Sequence, residues 1–159
     1  MLHKTKIDIA KDTRGKLIAI LNQRLADGSD LKSQAKQAHW NVKGPNFIAL
    51  HELFDRVATE LDPIVDDIAE RVTTLGGTAL GTVRVAAQNS TLAEYPLEIT
   101  DGGDHVESLS DALADFGKKV RAYIDATDKL GDADTADLFT GVSRSIDKLL
   151  WFVEAHIQA

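Results

Sequence analysis

Apolar residues recur at intervals of three and four along most of the chain, which is the spacing of one face of an amphipathic helix. Clusters of turn-forming residues are sparse, and the sequence contains only three prolines. Long stretches without such breakers favour helices over strands. The pattern therefore predicts an all-α protein.

The first predicted helix, segment A, begins near Asp12 as its N-cap and ends at the Lys43-Gly44-Pro45 sequence. Gly28 and Ser29 interrupt it with residues typical of a break. At about 100° per residue, however, the apolar stripe continues on the same side of the helix across Gly28. We expect one continuous helix, although glycine in a helix costs about 1 kcal/mol.

Three further segments have the same periodicity. They are segment B from Asn46 to Gly76, segment C from about Asp104 to Gly131, and segment D from Asp134 to Ile157. Asn46 and Asp134 are the predicted N-caps of segments B and D. Each of the four helices would span about 24 to 30 residues, or about 36 to 45 Å. Pro63 lies in the middle of segment B, where it removes a backbone donor and predicts a kink.

The connections predict how the helices are arranged. The links from A to B and from C to D are only a few residues long, which requires antiparallel neighbours, whereas residues 76–103 form a long connection with a short helix predicted at 83–90. A four-helix bundle with one long crossover is the ferritin-like arrangement. We expect a single domain over residues 12–157, preceded by an N-terminal arm of residues 1–11.

Composition restricts the chemistry. The chain has 159 residues, 43% of them hydrophobic, which is enough to fill the core of one domain. It contains no cysteine, which excludes disulfides, thiolate zinc sites, iron–sulfur clusters and cysteine nucleophiles. Any metal must therefore be held by nitrogen and oxygen ligands.

The distribution of charge and of apolar residues bears on partners and location. The net charge of −7 disfavours a generic nucleic-acid-binding protein. Five basic and two acidic residues nevertheless give the first sixteen residues a charge of +3, which leaves −10 for the remainder and keeps a basic arm possible. The longest apolar runs have five residues, against about 18 for a membrane span, so we expect a soluble, cytoplasmic protein.

A second stripe of polar residues follows segment B beside its apolar face. Its members are His51, Asp55, Asp62, Asp66 and Glu70. The pairs His51/Asp55 and Asp66/Glu70 have the i,i+4 spacing of metal ligands. The simpler interpretation is the solvated flank of an amphipathic helix, but a line of like charges without lysine costs helix stability.

The two pairs are too far apart to form one site within a chain. His51 and Asp66 are separated by about 22 Å along the helix. If two copies of segment B pack antiparallel about a two-fold axis near residue 60, the second pair of one chain lies beside the first pair of the other. Two equivalent sites then form at a dimer interface, as isologous symmetry requires.

His39 lies on the apolar stripe of segment A and precedes Trp40. A lone histidine in that position is more often a core residue than a ligand. The chain also contains no Glu-x-x-His sequence, which argues against the intrachain di-iron site of common ferritin-like bundles.

Several motifs together identify a resemblance. They are the Lys36-Gln37-Ala38-His39-Trp40-Asn41-Val42-Lys43-Gly44-Pro45-Asn46-Phe47 sequence, His51-Glu52 with Asp55, and Asp66 with Ala69-Glu70-Arg71. In these positions the chain resembles the Dps family of bacterial mini-ferritins over nearly its whole length. The resemblance implies a hollow dodecamer that takes up Fe(II), oxidises it with hydrogen peroxide and stores ferric mineral, without an organic cofactor.

The resemblance also implies roles for individual residues. His39, His51 and Asp55 of one subunit, with Asp66 and Glu70 of its neighbour, would form a ferroxidase site, and Trp40 would lie beside it. Four acidic residues around the C to D turn would line the pore through which iron enters: Asp128, Asp132, Asp134 and Asp137. The alternative for that turn is capping of segment D by Asp134.

Three functions remain open at this point. The first is an iron-oxidising storage shell. The second is a DNA-compacting, nucleoid-associated protein that uses its lysine-bearing arm, and the third is an inert helical bundle whose acidic stripe is only surface.

Overall fold

The computed structural model describes residues 2–158, which form five helices. These are α1 (Lys11–Asn41), α2 (Phe47–Thr74), α3 (Val83–Asn89), α4 (Gly102–Lys129) and α5 (Ala133–Glu154). Over this range the structure has no strand, and a single isolated bridge joins Lys43 to Asp101. The all-α prediction, the long crossover and its short helix are confirmed. None of the helices within residues 2–158 has the apolar length needed to cross a membrane.

The four long helices pack as two hairpins around one core. Helix α1 packs along α2 and α4 along α5, and the hairpins meet through α1 with α4 and α2 with α5. The largest fully buried side chains come from all four helices and include Leu21, Phe54, Phe116 and Phe139. Burial of these aromatic and aliphatic groups from every helix is what joins the two hairpins into one bundle.

Helix α1 continues through Gly28 without a break, as the apolar stripe predicts. A Cβ atom at this position would lie 3.3 Å from Val65 Cγ2 and 3.5 Å from Phe116 Cζ. Glycine therefore allows α2 and α4 to approach α1 closely, which offsets its low helix propensity.

Helix α2 is also continuous, through Pro63. Pro63 and Thr59 are both exposed. The carbonyl of Thr59, which loses its helical donor to the proline ring, can therefore be hydrated, and the helix persists.

Of the three predicted N-caps, Asn46 is confirmed in position and the other two need correction. Helix α1 begins one residue before Asp12, with Ala10 at the N-cap, and Asn46 occupies the N-cap of α2 without a side-chain hydrogen bond. Helix α5 is capped by Asp132 and not by Asp134, since the Asp132 carboxylate accepts the Thr135 N–H at 3.2 Å. Three residues separate the two helices, Leu130, Gly131 and Asp132, and Gly131 adopts a φ of +86° in this turn.

The crossover is fixed to the bundle by buried polar groups. The Asp27 carboxylate, fully buried and paired with Arg24, accepts hydrogen bonds from the backbone N–H and hydroxyl of Thr91. Further along the crossover, the Tyr95 hydroxyl lies 2.8 Å from His105 Nδ1 in the core. These contacts hold the long connection across the bundle.

The N-terminal arm also packs on the bundle. The backbone N–H of His3 donates to the Gly76 carbonyl at 2.7 Å, and Arg14 Nη1 donates to the Leu75 carbonyl at 2.8 Å. Lys4 and Lys6, within this docked segment, are exposed.

Candidate metal centre

His39 and His51 face each other across the α1–α2 hairpin. Their ring centroids are 3.8 Å apart and the ring planes are inclined by 24°. His39 Nδ1 lies 2.7 Å from the carbonyl oxygen of His51, and His51 Nδ1 lies 2.8 Å from the carbonyl oxygen of His39. Each imidazole is therefore anchored to the backbone of the other.

The reciprocal bonds determine which nitrogen of each ring is available to a metal. A carbonyl oxygen can only accept, so each Nδ1 carries the proton and donates. In the neutral ring the lone pair then resides on Nε2. In both histidines the Nδ1 bond fixes the orientation of Nε2, an arrangement that is typical of metal-binding histidines.

The short α1–α2 link places the two histidines opposite each other. Gly44 adopts a φ of +109° in this turn, a value that favours glycine. The Lys43 N–H donates to the Thr100 carbonyl at 2.8 Å, which attaches the turn to the end of the crossover. The last turn of α1 and the first turn of α2 are thereby held side by side.

Asp55 follows His51 by one turn on α2 and is half-buried. Its Oδ1 atom accepts a hydrogen bond from Lys36 Nζ of α1 at 2.6 Å. This hydrogen bond and the positive charge of Lys36 lower the pKa of Asp55 below its ordinary value, against the opposing effect of desolvation. Asp55 is therefore ionised at neutral pH, as a carboxylate ligand must be.

Asp66 and Glu70 lie further along α2, where both are exposed. They are not brought near His39, His51 or Asp55 within the chain. Among residues 2–158, no three histidine, aspartate or glutamate side chains are arranged to hold a metal ion. The subunit thus presents two separate sets of donors, one at each end of α2.

Trp40 lies at the end of α1 beside the first set and is 67% exposed. Lys36 Nζ is 5.8 Å from the centroid of its indole ring. The ammonium group is therefore near both the indole ring and the Asp55 carboxylate.

The four acidic residues predicted to line a pore differ in their surroundings at the α4–α5 turn, because one is buried and three are exposed. The Asp132 carboxylate is 2% exposed and accepts hydrogen bonds from Arg71 at 2.7 Å and from Thr135. Burial alone would raise the pKa of Asp132, but these bonds outweigh it and lower that pKa. Its oxygens are committed to capping and to Arg71, whereas Asp128, Asp134 and Asp137 are exposed.

Lys36 was not singled out from the sequence. It lies three residues before His39, so that on a helix it shares the face that carries the histidine. This spacing is the sequence feature that could have identified Lys36 as a neighbour of the site. Its pairing with Asp55 could not be read from the sequence because it joins two helices.

Comparisons with known proteins agree with this fold. The model of the family described as "Ferritin-like domain" matches residues 18–159. The DNA protection during starvation protein of Agrobacterium fabrum is 47% identical over 156 residues, which are 98% of this chain and 96% of the relative.

Solved structures are similarly close. DpsC from Streptomyces coelicolor superposes with a TM-score of 0.95 at 31% identity, covering 100% of this chain and 93% of that one. Dps from Microbacterium arborescens, described as being in the high iron form, superposes with a TM-score of 0.86 at 29% identity. The match covers 93% of this chain and 96% of that chain. The resemblance seen in the sequence is thereby confirmed, and the chain belongs to the Dps proteins of the ferritin-like family.

Proposed function

We propose that this protein oxidises Fe(II) at sites shared between two subunits and stores the ferric product inside a hollow dodecamer. The observation that carries the proposal is the His39–His51 pair, whose Nδ1 bonds leave both Nε2 atoms for a metal, with the ionised Asp55 one helical turn after His51 on α2. Imidazole and carboxylate ligands suit iron in both oxidation states. The related Microbacterium arborescens structure in a high iron form supports iron as the substrate.

Two subunits are needed because one chain supplies only part of a ligand set. His39, His51 and Asp55 would come from one subunit, and Asp66 and Glu70 from its partner, with two equivalent sites about a two-fold axis. The exposure of Asp66 and Glu70 leaves them accessible to a neighbouring subunit. Asp128, Asp134 and Asp137 are the acidic residues that could attract Fe(II) at a pore, because a negative potential raises the local concentration of cations.

The reaction balances with hydrogen peroxide as oxidant. Two Fe(II) ions give up one electron each, peroxide accepts both electrons and two protons, and two Fe(III) ions and two water molecules result. The paired two-electron reduction releases no hydroxyl radical. Anionic carboxylate ligands stabilise the charge that iron gains on oxidation.

The test is anaerobic loading with Fe(II) followed by hydrogen peroxide while ferric absorbance is recorded. Rapid oxidation with iron remaining bound to the protein is expected for the wild type, and its loss is expected in His51→Ala. If wild type, variant and buffer oxidise iron at the same rate, the proposal is wrong. The mass of the assembled protein in solution checks the dodecamer separately.

DNA binding is the competing function. Lys4 and Lys6 are exposed on the arm, and the relative from Agrobacterium fabrum is named for DNA protection. Docking of the arm through His3 limits its reach, and the net charge of −7 per subunit repels phosphate. Salt-sensitive retardation of DNA that persists in His51→Ala would favour this function over iron oxidation.

A further inference from the structure

Lys36 occupies the position from which a cation would approach Asp55. Its ammonium nitrogen lies 2.6 Å from Asp55 Oδ1, in the space between the last turns of α1 and the first turns of α2. His39 follows Lys36 by one turn on α1, and His51 precedes Asp55 by one turn on α2. A positive charge is thus already in place beside the predicted ligands.

We propose that Lys36 is a displaceable counter-cation of the iron site, which neutralises Asp55 when the site is empty and must move aside when Fe(II) binds. This inference rests on the proposed function. In this role Lys36 controls the affinity for Fe(II) of the half of the site that carries the histidines. It is not itself a ligand.

The first argument is electrostatic. An ammonium group in contact with Asp55 repels a divalent cation that approaches the same carboxylate, since like charges at a few ångströms interact unfavourably. Lysine has three donors and no acceptor, so it cannot become a ligand while protonated. Occupation of Asp55 by Lys36 and by Fe(II) is therefore competitive.

The second argument is that displacement costs little. The Lys36 and Asp55 side chains are 31% and 48% exposed, and ion pairs this accessible to water are weak. The lysine stem is flexible, and the exposed indole of Trp40 lies next to it, with its centroid 5.8 Å from Nζ. Because Nζ already lies over the Trp40 ring, the ammonium can keep this cation–π contact when it leaves Asp55.

The chain contains a matched control. Lys32, one turn earlier on α1, forms the same kind of inter-helix pair with Asp62 of α2, and its side chain is 40% exposed. Asp62 is not among the predicted ligands. Replacing Lys32 changes the net charge by the same amount as replacing Lys36, but at a pair that the site does not use.

The experiment measures binding of Zn(II), a redox-inert probe for nitrogen and oxygen ligands, by calorimetry without oxidant. Lys36→Met keeps the apolar stem and removes the charge, and we expect it to bind Zn(II) about three to ten times more tightly than the wild type. Lys32→Met should change the affinity less than about twofold, because Lys32 pairs with Asp62, which is not among the proposed ligands. Equal effects of the two variants, or unchanged or weaker binding by Lys36→Met, would overturn the inference.

Tryptophan fluorescence gives a second readout of the movement. Zn(II) should change the emission of Trp40 in the wild type and much less in Lys36→Met, and Trp40→Phe identifies the contribution of Trp151. If the wild type binds no Zn(II), or if binding survives His51→Ala, the proposed shared site is wrong. The proposed role of Lys36 is then wrong as well. If Zn(II) binding requires His51 but is unchanged in Lys36→Met, only the proposed role of Lys36 is wrong.

Discussion

At the scale of single residues, the two histidines differ in how far the sequence predicted them. His51 belongs to a stripe with ligand spacing on one helix, whereas His39 gained its role only through resemblance to a family. Their reciprocal Nδ1 bonds join two helices and depend on the closeness of the backbones, which residue spacing along one helix does not encode. The proposed ligand residues thus come from the sequence and the family resemblance, while the orientation of their rings follows from the fold.

Replacement of His39 by asparagine separates anchoring from metal binding. The amide of the introduced side chain can still donate to the carbonyl of His51, as Nδ1 does, but it lacks the Nε2 ligand. We expect His39→Asn to keep the thermal stability of the wild type and to slow Fe(II) oxidation about tenfold or more. A stopped-flow measurement of ferric absorbance checks this, and unchanged kinetics would show that His39 is not a ligand.

His105 provides a pH-dependent contribution to stability. It is 1% exposed and hydrogen-bonded to Tyr95, and its burial lowers its pKa below the ordinary 6.5, against weaker opposing effects of Asp104 and of backbone carbonyls. Below pH 6.5 the unfolded chain takes up this proton before the folded chain does. The free energy of unfolding should therefore fall as pH falls below 6.5, by up to about 1.4 kcal/mol per pH unit from this group.

Denaturant unfolding at pH 7.5 and 5.5, at one protein concentration, tests this dependence. His105→Gln keeps a partner for the Tyr95 hydroxyl and does not titrate, so it should lose less stability than the wild type between the two pH values. The carboxylates with lowered pKa, Asp55 and Asp132, titrate below their ordinary value of 3.8 and lie outside this window. An equal loss in both proteins would contradict the assignment to His105.

At the scale of helices, the apolar periodicity predicted every long element, including the passage of α1 through Gly28. It failed at the starts of α1 and α5, where several acidic residues occur close together. Asp132 and Asp134 are equally good N-caps by residue type, and the choice depends on Arg71 of α2, which is distant in sequence. A local sequence pattern does not predict contacts between residues that are this far apart in the chain.

The corrected cap of α5 can be tested with the same pair of residues. Asp132→Ala removes the cap and the partner of Arg71, so we expect it to lower the free energy of unfolding by about 2 to 3 kcal/mol. Asp134→Ala removes an exposed carboxylate 3.8 Å from Arg71, and its expected cost is below about 1 kcal/mol. Chemical denaturation distinguishes the two, and similar costs would place the cap at Asp134 after all.

At the scale of the whole molecule, the single chain is a complete bundle, whereas the proposed iron site needs residues of two subunits. The sequence predicted this division, because the two ligand pairs on α2 are too far apart to meet within one subunit. It did not predict that the basic arm packs against the end of α2. Docking depends on main-chain atoms of His3 and Gly76, for which side-chain patterns carry no signal.

Gly76→Ala should release the arm. Gly76 has a φ of +83°, and a Cβ atom there would lie 2.8 Å from the His3 carbonyl oxygen. Gly131→Ala is the control, since its φ is +86° and a Cβ atom would meet nothing within 4 Å. Both variants incur the left-handed backbone cost of about 1 to 2 kcal/mol, but only Gly76→Ala should speed tryptic cleavage at Lys4 and Lys6.

The same pair tests whether docking restrains DNA binding. Gel retardation at low and moderate salt should show stronger DNA binding by Gly76→Ala than by Gly131→Ala, with the difference decreasing as salt rises. Identical retardation of the two variants, together with the expected difference in cleavage, would show that the arm does not contribute to DNA binding.

The reciprocal anchoring of His39 and His51 also affects how the site tolerates mutation. Each ring is held by a carbonyl oxygen of the main chain, and no amino-acid substitution can delete a carbonyl. Neighbouring side chains can therefore change over generations without releasing either imidazole, provided that the two helices stay at the same distance. The orientation of the two rings is inherited with the backbone, so that substitutions nearby are free to adjust charge and solvent access around the proposed iron site.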